Sequence, residues 1–250
     1  DLNVSGNTTY SLKDGTRHLF GMNMKEFNAV QQQKLTASDG VDGDRFGYSV
    51  SLYEDYALIG AYYDDSAKGS AYIFKRNGST WTQQQKLTAS DGATYDIFGY
   101  SVSLYEDYAL IGAYGDDDNG SKSGSAYIFK RNDSTWSQQQ KLTASDGASN
   151  DQFGYSVSIF KDYALIGASL DDDPSGSGYD SGSAYIFKRN GSTWIQQAKL
   201  TASDGATNDY FGESVSLYED YALIGAYYDD DNGSNSGSAY IFKSNDSTWS

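Results

Sequence analysis

The 250-residue chain has no cysteine, one proline and one histidine. The missing cysteine excludes disulfides, thiolate nucleophiles and cysteine-bound metals, so stability has to come from packing. It assigns no compartment, because a large repeat domain has core enough to do without disulfides. A single His18 excludes a repeated Ser-His-Asp site, and no His-Glu-x-x-His spacing occurs. Nearly without proline, the turns must rest on Asn, Asp and the 27 glycines. No apolar run approaches the roughly 18 residues that a membrane-spanning helix needs, so no membrane insertion is expected. Positive charge is also scarce: 18 Lys and Arg face 34 Asp and Glu, for a net charge of −16. A phosphate backbone would be repelled, which argues against nucleic acid as a partner. Divalent or otherwise cationic partners are favoured. Carboxylate pairs of the kind glycosidases use occur throughout and so discriminate nothing, and the chain reads as a non-enzyme.

What the chain does have is one passage written four times. Lys-Leu-Thr-Ala-Ser-Asp-Gly begins at Lys34, Lys86, Lys141 and Lys199. A period near fifty residues, rich in strand-like segments, indicates repeated β-units packed side by side. With 15% aromatic residues, including 23 tyrosines, the core should be aromatic rather than leucine-rich. The repeats start near residues 31, 83, 138 and 196, and residues 1–30 form a non-repeat strand segment ahead of them.

Each repeat reads as a four-stranded blade, making the fold all-β. In the first, Phe46, Tyr48, Val50 and Leu52 alternate with small residues and give one apolar face. Tyr56–Ala61 is an uninterrupted apolar run, as in a strand buried on both faces. Gly69–Lys75 follows, then a polar outer strand over Ser79–Ala89, with Asn77-Gly78 as the hairpin turn between them. The acidic loop after Ala61, Ala113, Ala168 and Ala226 changes length from copy to copy, which places it at the surface.

The order Phe-Gly, Leu-Ile-Gly-Ala, Gly-Ser-Ala-Tyr-Ile-Phe resembles the FG-GAP repeat, the blade unit of the integrin α-chain β-propeller. Phe46-Gly47, Phe98-Gly99, Phe153-Gly154 and Phe211-Gly212 match the first element. Gly60-Ala61, Gly112-Ala113, Gly167-Ala168 and Gly225-Ala226 match the second, with Tyr or Ser where proline usually follows. The resemblance covers roughly residues 31–249. It implies a β-propeller of four such blades, an extracellular or cell-surface setting, and work in adhesion or binding. Integrin propellers have seven blades, and their Asp-x-Asp-x-Asp-Gly calcium loop is replaced here by Tyr53-Glu54-Asp55-Tyr56 and its copies, so those calcium sites do not carry over.

Calcium is nevertheless expected in the other acidic loops, through Asp116, Asp118 and Asn119, Asp171 and Asp173, and Asp229, Asp231 and Asn232, because clustered carboxylates suit a hard cation. A second acidic set, Asp39 and Asp44 with Asp91 and Asp96, Asp146 and Asp151, Asp204 and Asp209, flanks the turn into each Phe-Gly. Tyr62, Tyr63, Tyr227 and Tyr228 beside the acidic loops are candidate ligand-binding residues for a glycan. Trp81, Trp136, Trp194 and Trp249 recur once per repeat and read as packing between blades. Asn3, Asn7, Asn77, Asn119, Asn132, Asn190, Asn232 and Asn245 head glycosylation sequons in turn-like sequence.

The sequence ends at Trp249-Ser250, where Gln-Gln-Gln-Lys-Leu would come next, and Gln31–Leu35 supplies that phrase at the other end. The two ends could close one ring, belong to a longer propeller, or pair between molecules by β-augmentation. The expectation is an extracellular adhesion or structural propeller, calcium-stabilised, assembling head-to-tail with copies of itself or binding an extracellular protein or glycan. The alternative is a lectin-like propeller.

Overall fold

The computed structural model describes the strands Asn3–Ser5, Thr9–Ser11 and Arg17–Leu19 together with residues 30–172, 178–245 and 248–250. The chain divides into two compact units, Asp1–Lys34 and Leu35–Ser250. In the first, β1 (Asn3–Ser5), β2 (Thr9–Ser11) and β3 (Arg17–Leu19) form an antiparallel meander. The non-repeat strand segment thus holds three short strands among its described residues.

The second unit is built from four blades, each a meander of antiparallel neighbours. Blade one holds β4 (Val50–Tyr53), β5 (Tyr56–Ala61), β6 (Ser70–Asn77) and β7 (Thr80–Leu87). Blade two holds β8 (Ser101–Tyr105), β9 (Tyr108–Ala113), β10 (Ser125–Asn132) and β11 (Thr135–Leu142). Blade three holds β12 (Ser156–Phe160), β13 (Tyr163–Ala168), β14 (Ser183–Asn190) and β15 (Thr193–Leu200). Blade four holds β16 (Ser214–Tyr218), β17 (Tyr221–Ala226) and β18 (Ser238–Lys243). Four strands were expected there too. Among the described residues the outer position beside β18 holds the bridge Ser244–Trp249 and the paired backbone hydrogen bonds of Lys243 and Ser250.

The hairpins follow from local chemistry. Gly78 and Gly191 adopt φ near +64° and +63°, as an Asn-Gly turn requires, and Asp133 takes the same left-handed conformation at φ 55°. A bulge after Ile73, Ile128 and Ile186 adds one residue to each outer strand.

The Phe-Gly motif behaves differently from the expectation that it opens a strand. Its glycines sit at φ near +90°, so the chain bends before the strand begins. Phe98, Phe153 and Phe211 drop fully buried into the core, each bridged in parallel to Gly69, Gly124 and Gly182 of the preceding blade. Glycine is needed on both sides of this joint. A Cβ on Gly60 would stand 1.9 Å from the Gly99 carbonyl oxygen, and one on Gly112 would stand 1.9 Å from that of Gly154. The strand serines complete it. Ser49, Ser101 and Ser156 donate from Oγ to the carbonyls of Gly99, Gly154 and Gly212. Ser51, Ser103 and Ser158 accept from the amides of Leu104, Ile159 and Leu217 on the next blade.

Around this polar seam the apolar faces interdigitate. Tyr56, Leu58 and Ile73 of blade one pack against Phe98, Val102, Leu104 and Trp136 of blade two. Trp136, Trp194 and Trp249 are buried edge-on against Tyr56, Tyr108 and Tyr163 of the preceding blade. Gln85 bonds both the amide and the carbonyl of Trp136, and Gln140 does the same for Trp194. Every blade is thus tied to the next by one repeated interface, and the inner strands β4, β8, β12 and β16 stand side by side in that order.

The series is open. Val102 and Leu104 are 9% and 5% exposed, whereas the equivalent Val50 and Leu52 on β4 are each 67% exposed. At the other end Leu223 and Ile241 are 44% and 69% exposed, against complete burial of Leu58 and Ile73.

Gly112→Ala should cost about 3 kcal/mol, because a backbone carbonyl cannot move aside as a side chain can. Gly78→Ala, with nothing within 4 Å, should cost about 1 kcal/mol through its positive φ alone. Urea unfolding of the two variants tests the ranking.

Candidate functional site

In each of blades one to three the acidic loop and the outer strand meet in one cluster. The β6–β7 register sets Tyr72 opposite Lys86; the next blades set Tyr127 opposite Lys141 and Tyr185 opposite Lys199. Each lysine therefore projects beside a tyrosine hydroxyl, over the loop that follows the Gly-Ala strand. In blade two the Lys141 ammonium lies 2.8 Å from Asp91, 2.8 Å from Asp116 and also in contact with Asp118. The Tyr127 hydroxyl is 3.0 Å from Asp91 and 2.9 Å from Asp116. In blade one Lys86 lies 2.7 Å from Asp39 and 2.6 Å from Asp64, and in blade three Lys199 lies 2.7 Å from both Asp146 and Asp171.

The electrostatics are those of a half-buried ammonium among carboxylates. Burial pushes the lysine pKa down, but hydrogen bonds to Asp116, Asp118 and Asp91 outweigh it and hold Lys141 above its ordinary range. Burial likewise raises the Asp91 and Asp146 carboxyls, and the hydrogen bonds and charges of Lys141 and Lys199 bring them below it. The second acidic residue of each turn has a different task. Asp44, Asp96, Asp151 and Asp209 accept the amides of Val41, Ala93, Ala148 and Ala206. Desolvation raises Asp151 to about 6.

The expected calcium ligands are therefore partly assembled, around a different cation. Asp91, Asp116 and Asp118 bring carboxylate oxygens within 4.8 Å of one another, a spacing that could hold a metal. Lys141 is bonded to all three. These residues do not fit a calcium ion while the ammonium stands among them, and the same holds for Lys86 and Lys199. Asn119 and Asn232 are exposed in the turns, where their amides donate to Ser123 and Ser236. Asp173 lies outside the described residues.

Blade four keeps the acidic half of the cluster. Tyr240 donates to Asp204 at 3.0 Å and Asp229 at 2.7 Å, and the Asp231 amide donates to Asp229 at 3.0 Å. Among the described residues no lysine bonds these carboxylates, and the negative charges of Asp229 and Asp204 raise the Asp231 carboxyl.

The four candidate tyrosines fall at two places. Tyr62 packs among Tyr48, Tyr63 and Tyr100, in a group where the hydroxyls of Tyr48, Tyr100 and Tyr155 are linked at 2.9 and 3.0 Å. Tyr63 is exposed. Tyr227 and Tyr228 are exposed on blade four, where Tyr210 stacks on Tyr227 at 5.6 Å. Of the sequons, Asn77, Asn132 and Asn190 stand exposed at the hairpin tips, as do Asn119, Asn232 and Asn245 in their turns. Asn3 lies on β1, and Asn7 falls outside the described residues.

The sequence reading missed the lysines. Their signal was available: Lys86, Lys141 and Lys199 keep their place before Leu while the neighbouring Gln85 and Gln140 give way to Ala198.

The FG-GAP repeat model matches residues 29–74, 81–129, 136–187 and 194–242. The chain belongs to the FG-GAP repeat family, and its sheets are the blades of a β-propeller-like repeat protein. Among curated proteins none matches it.

Two tests follow. Lys141→Met leaves buried Asp116 without its cation and should cost about 3 kcal/mol at pH 7. That deficit should shrink as pH falls toward 4 and the carboxylates protonate, as thermal melts across pH would register. The Asp151 carboxyl has a raised folded pKa, so its contribution favours the fold at low pH and is lost as pH rises through about 6. Asp151→Asn should therefore raise Tm at pH 7.5 relative to wild type, with the gain vanishing near pH 4.

Proposed function

We propose that the chain is a non-enzymatic extracellular protein working as an adhesive or structural unit, its blades forming a scaffold that continues into neighbouring molecules. The observation that carries this reading is the repeated joint: Ser49, Ser101 and Ser156 bond the glycine carbonyls of the following blade, and equivalent apolar residues pack at each junction. Units joined by one recurring interface suit a scaffold. Supporting it, the groups that could do chemistry are spent internally: the buried carboxylates Asp64, Asp116 and Asp171 of three blades are neutralised by lysine, with tyrosine hydroxyls hydrogen-bonded beside them in blades one and two. Calcium plays its part, on this reading, only where lysine is lacking.

A second reading has its own observation. The exposed trio Tyr210, Tyr227 and Tyr228 offers aromatic faces beside Asp230 and Asp231, a surface on which a sugar ring can stack.

Negative-stain electron microscopy of the purified protein, with calcium and after chelation, tests the first reading. Regular oligomers or filaments are expected, and discrete single arcs at every concentration count against it. A glycan array tests the second: selective binding that disappears in Tyr227→Ala/Tyr228→Ala would establish the lectin instead.

A further inference from the structure

The turns that lead into the inner strands present a row of phenols hydrogen-bonded to one another. Tyr48, Tyr100 and Tyr155 each follow a Phe-Gly, and Glu213 holds the same place in blade four. The turn fixes them: the amides of Tyr100, Tyr155 and Glu213 donate to the carbonyls of Ile97, Gln152 and Tyr210. The Tyr48 hydroxyl donates to that of Tyr100 at 2.9 Å, and the Tyr100 hydroxyl donates to that of Tyr155 at 3.0 Å. Tyr155 is in turn hydrogen-bonded to Glu213. Phenols from three blades thus run to one carboxylate. Glu213 also shows that the blade joint does not itself demand a tyrosine, since Gly212 accepts from Ser156 as Gly99 and Gly154 accept from Ser49 and Ser101.

What two phenols this close can do depends on their angle. Oxidative coupling joins the ring carbons beside the hydroxyl-bearing carbon, so the hydroxyls must lie side by side. Tyr48 and Tyr100 meet that condition, with ring centroids 4.8 Å apart and planes at 40°, as do Tyr100 and Tyr155 at 5.0 Å and 52°. Tyr62 and Tyr114 instead stand edge-on to Tyr100, at 77° and 85°. At the other end of the inner strands Tyr53, Tyr105, Phe160 and Tyr218 form a second row, which Phe160 interrupts. The proton also has an exit. Burial first, and then the charge and hydrogen bond of Glu213, push the Tyr155 phenol up to about 12 against the opposing hydrogen bond from Tyr100. The phenol is therefore neutral at physiological pH and must release its proton as an electron leaves, and Glu213 is placed to take it.

We propose that Tyr100 is an oxidative cross-linking site, coupling to Tyr48 or Tyr155 so that a dityrosine bond locks blade two to a neighbouring blade. The co-reactant is hydrogen peroxide acting through a one-electron oxidant of the haem peroxidase class. Each of the two phenols gives up one electron and its hydroxyl proton, and the two phenoxyl radicals form one carbon–carbon bond between their ortho carbons. The two ortho hydrogens then shift as protons to the oxygens, and both rings regain aromaticity as phenols. One hydrogen peroxide takes up the two electrons and two protons released and becomes two waters, so the protein loses two hydrogen atoms. Tyr100 and Tyr155 are half-buried rather than sealed from solvent. A chain without cysteine has no disulfide to tie its blades, and a cross-link that closes a loop of a whole repeat restricts the unfolded chain in the same way.

The site stands apart from the adhesive reading, and either can fail alone. The full chain, dilute enough to disfavour links between molecules, is treated with a peroxidase and limiting hydrogen peroxide. Dityrosine fluorescence is followed, and the monomer is isolated by size exclusion and digested for mass spectrometry. The expected product is a peptide pair that joins Tyr100 to Tyr48 or Tyr155 and is lighter by two hydrogens. Tyr100→Phe should lose it. So should the double variant Tyr48→Phe/Tyr155→Phe, which leaves Tyr100 in place, with circular dichroism checking that each variant folds. Tyr179 is exposed on the acidic loop of blade three, and Tyr179→Phe should retain the product. Glu213→Gln should slow its formation by about tenfold, because a positioned proton acceptor is lost. Monomer dityrosine that survives Tyr100→Phe overturns the site, as do links mapped to Tyr53 and Tyr105 in its stead. Coupling found only between molecules, or none at all, also overturns it.

Discussion

The blade-to-blade joint is where the rest of the molecule is decided. A glycine of one blade and the carbonyl of the next blade's Phe-Gly approach so closely that no side chain fits between them, and this brings β-sheets near enough for Leu58 or Ile73 to reach Val102 and Trp136. The serines of the inner strand and the glutamines of the outer strand satisfy the polar groups that such an approach would otherwise strand. Family motifs that look like separate words, Phe-Gly, Gly-Ala and Ser-Val-Ser, are three parts of one contact.

The second constraint is charge. An acidic protein that folds its aspartates beneath tyrosines must neutralise them, and this chain does so with a lysine from the outermost strand of the same blade. The choice ties the cluster to strand pairing: the cation arrives only if the outer strand is in register. Blades one to three therefore complete their electrostatics and their hydrogen bonding in one step. Blade four shows, among the described residues, the acidic half alone.

Much of this was legible in the sequence. The uninterrupted Tyr-Ala-Leu-Ile-Gly-Ala runs and the Asn-Gly tips fixed the second strand and the outer hairpin, because period and turn chemistry are local properties. The Phe-Gly segment was misjudged as strand, since nothing local reveals that Gly99 turns the chain to meet Gly60. The clustered aspartates were read as calcium ligands, whereas the structure sets Asp91, Asp116 and Asp118 around the Lys141 ammonium. The cation's source was not seen, because Lys141 stands far along the chain from Asp91 and Asp116 and meets them only through the β10–β11 register. That Val50 and Leu52 are uncovered could not be read either. They are the same residues as Val102 and Leu104, and only their position in the series separates them.

That sameness bears on how the molecule reaches its native form. Four copies of Tyr-Ala-Leu-Ile-Gly-Ala are chemically equivalent, so any one could pair with the wrong neighbour at no loss of hydrogen bonds or apolar contact. What separates correct from crossed pairing is chain proximity: a two-residue hairpin closes at a far smaller entropic cost than a loop spanning a whole repeat. Kinetic sorting of this kind is fragile where adjacent units are nearly identical, and exchange between them is the characteristic misassembly of repeat proteins. The unequal acidic loops and Ala198 in place of glutamine are the few marks by which one blade differs from another, and drift at such positions lowers the traffic into swapped forms.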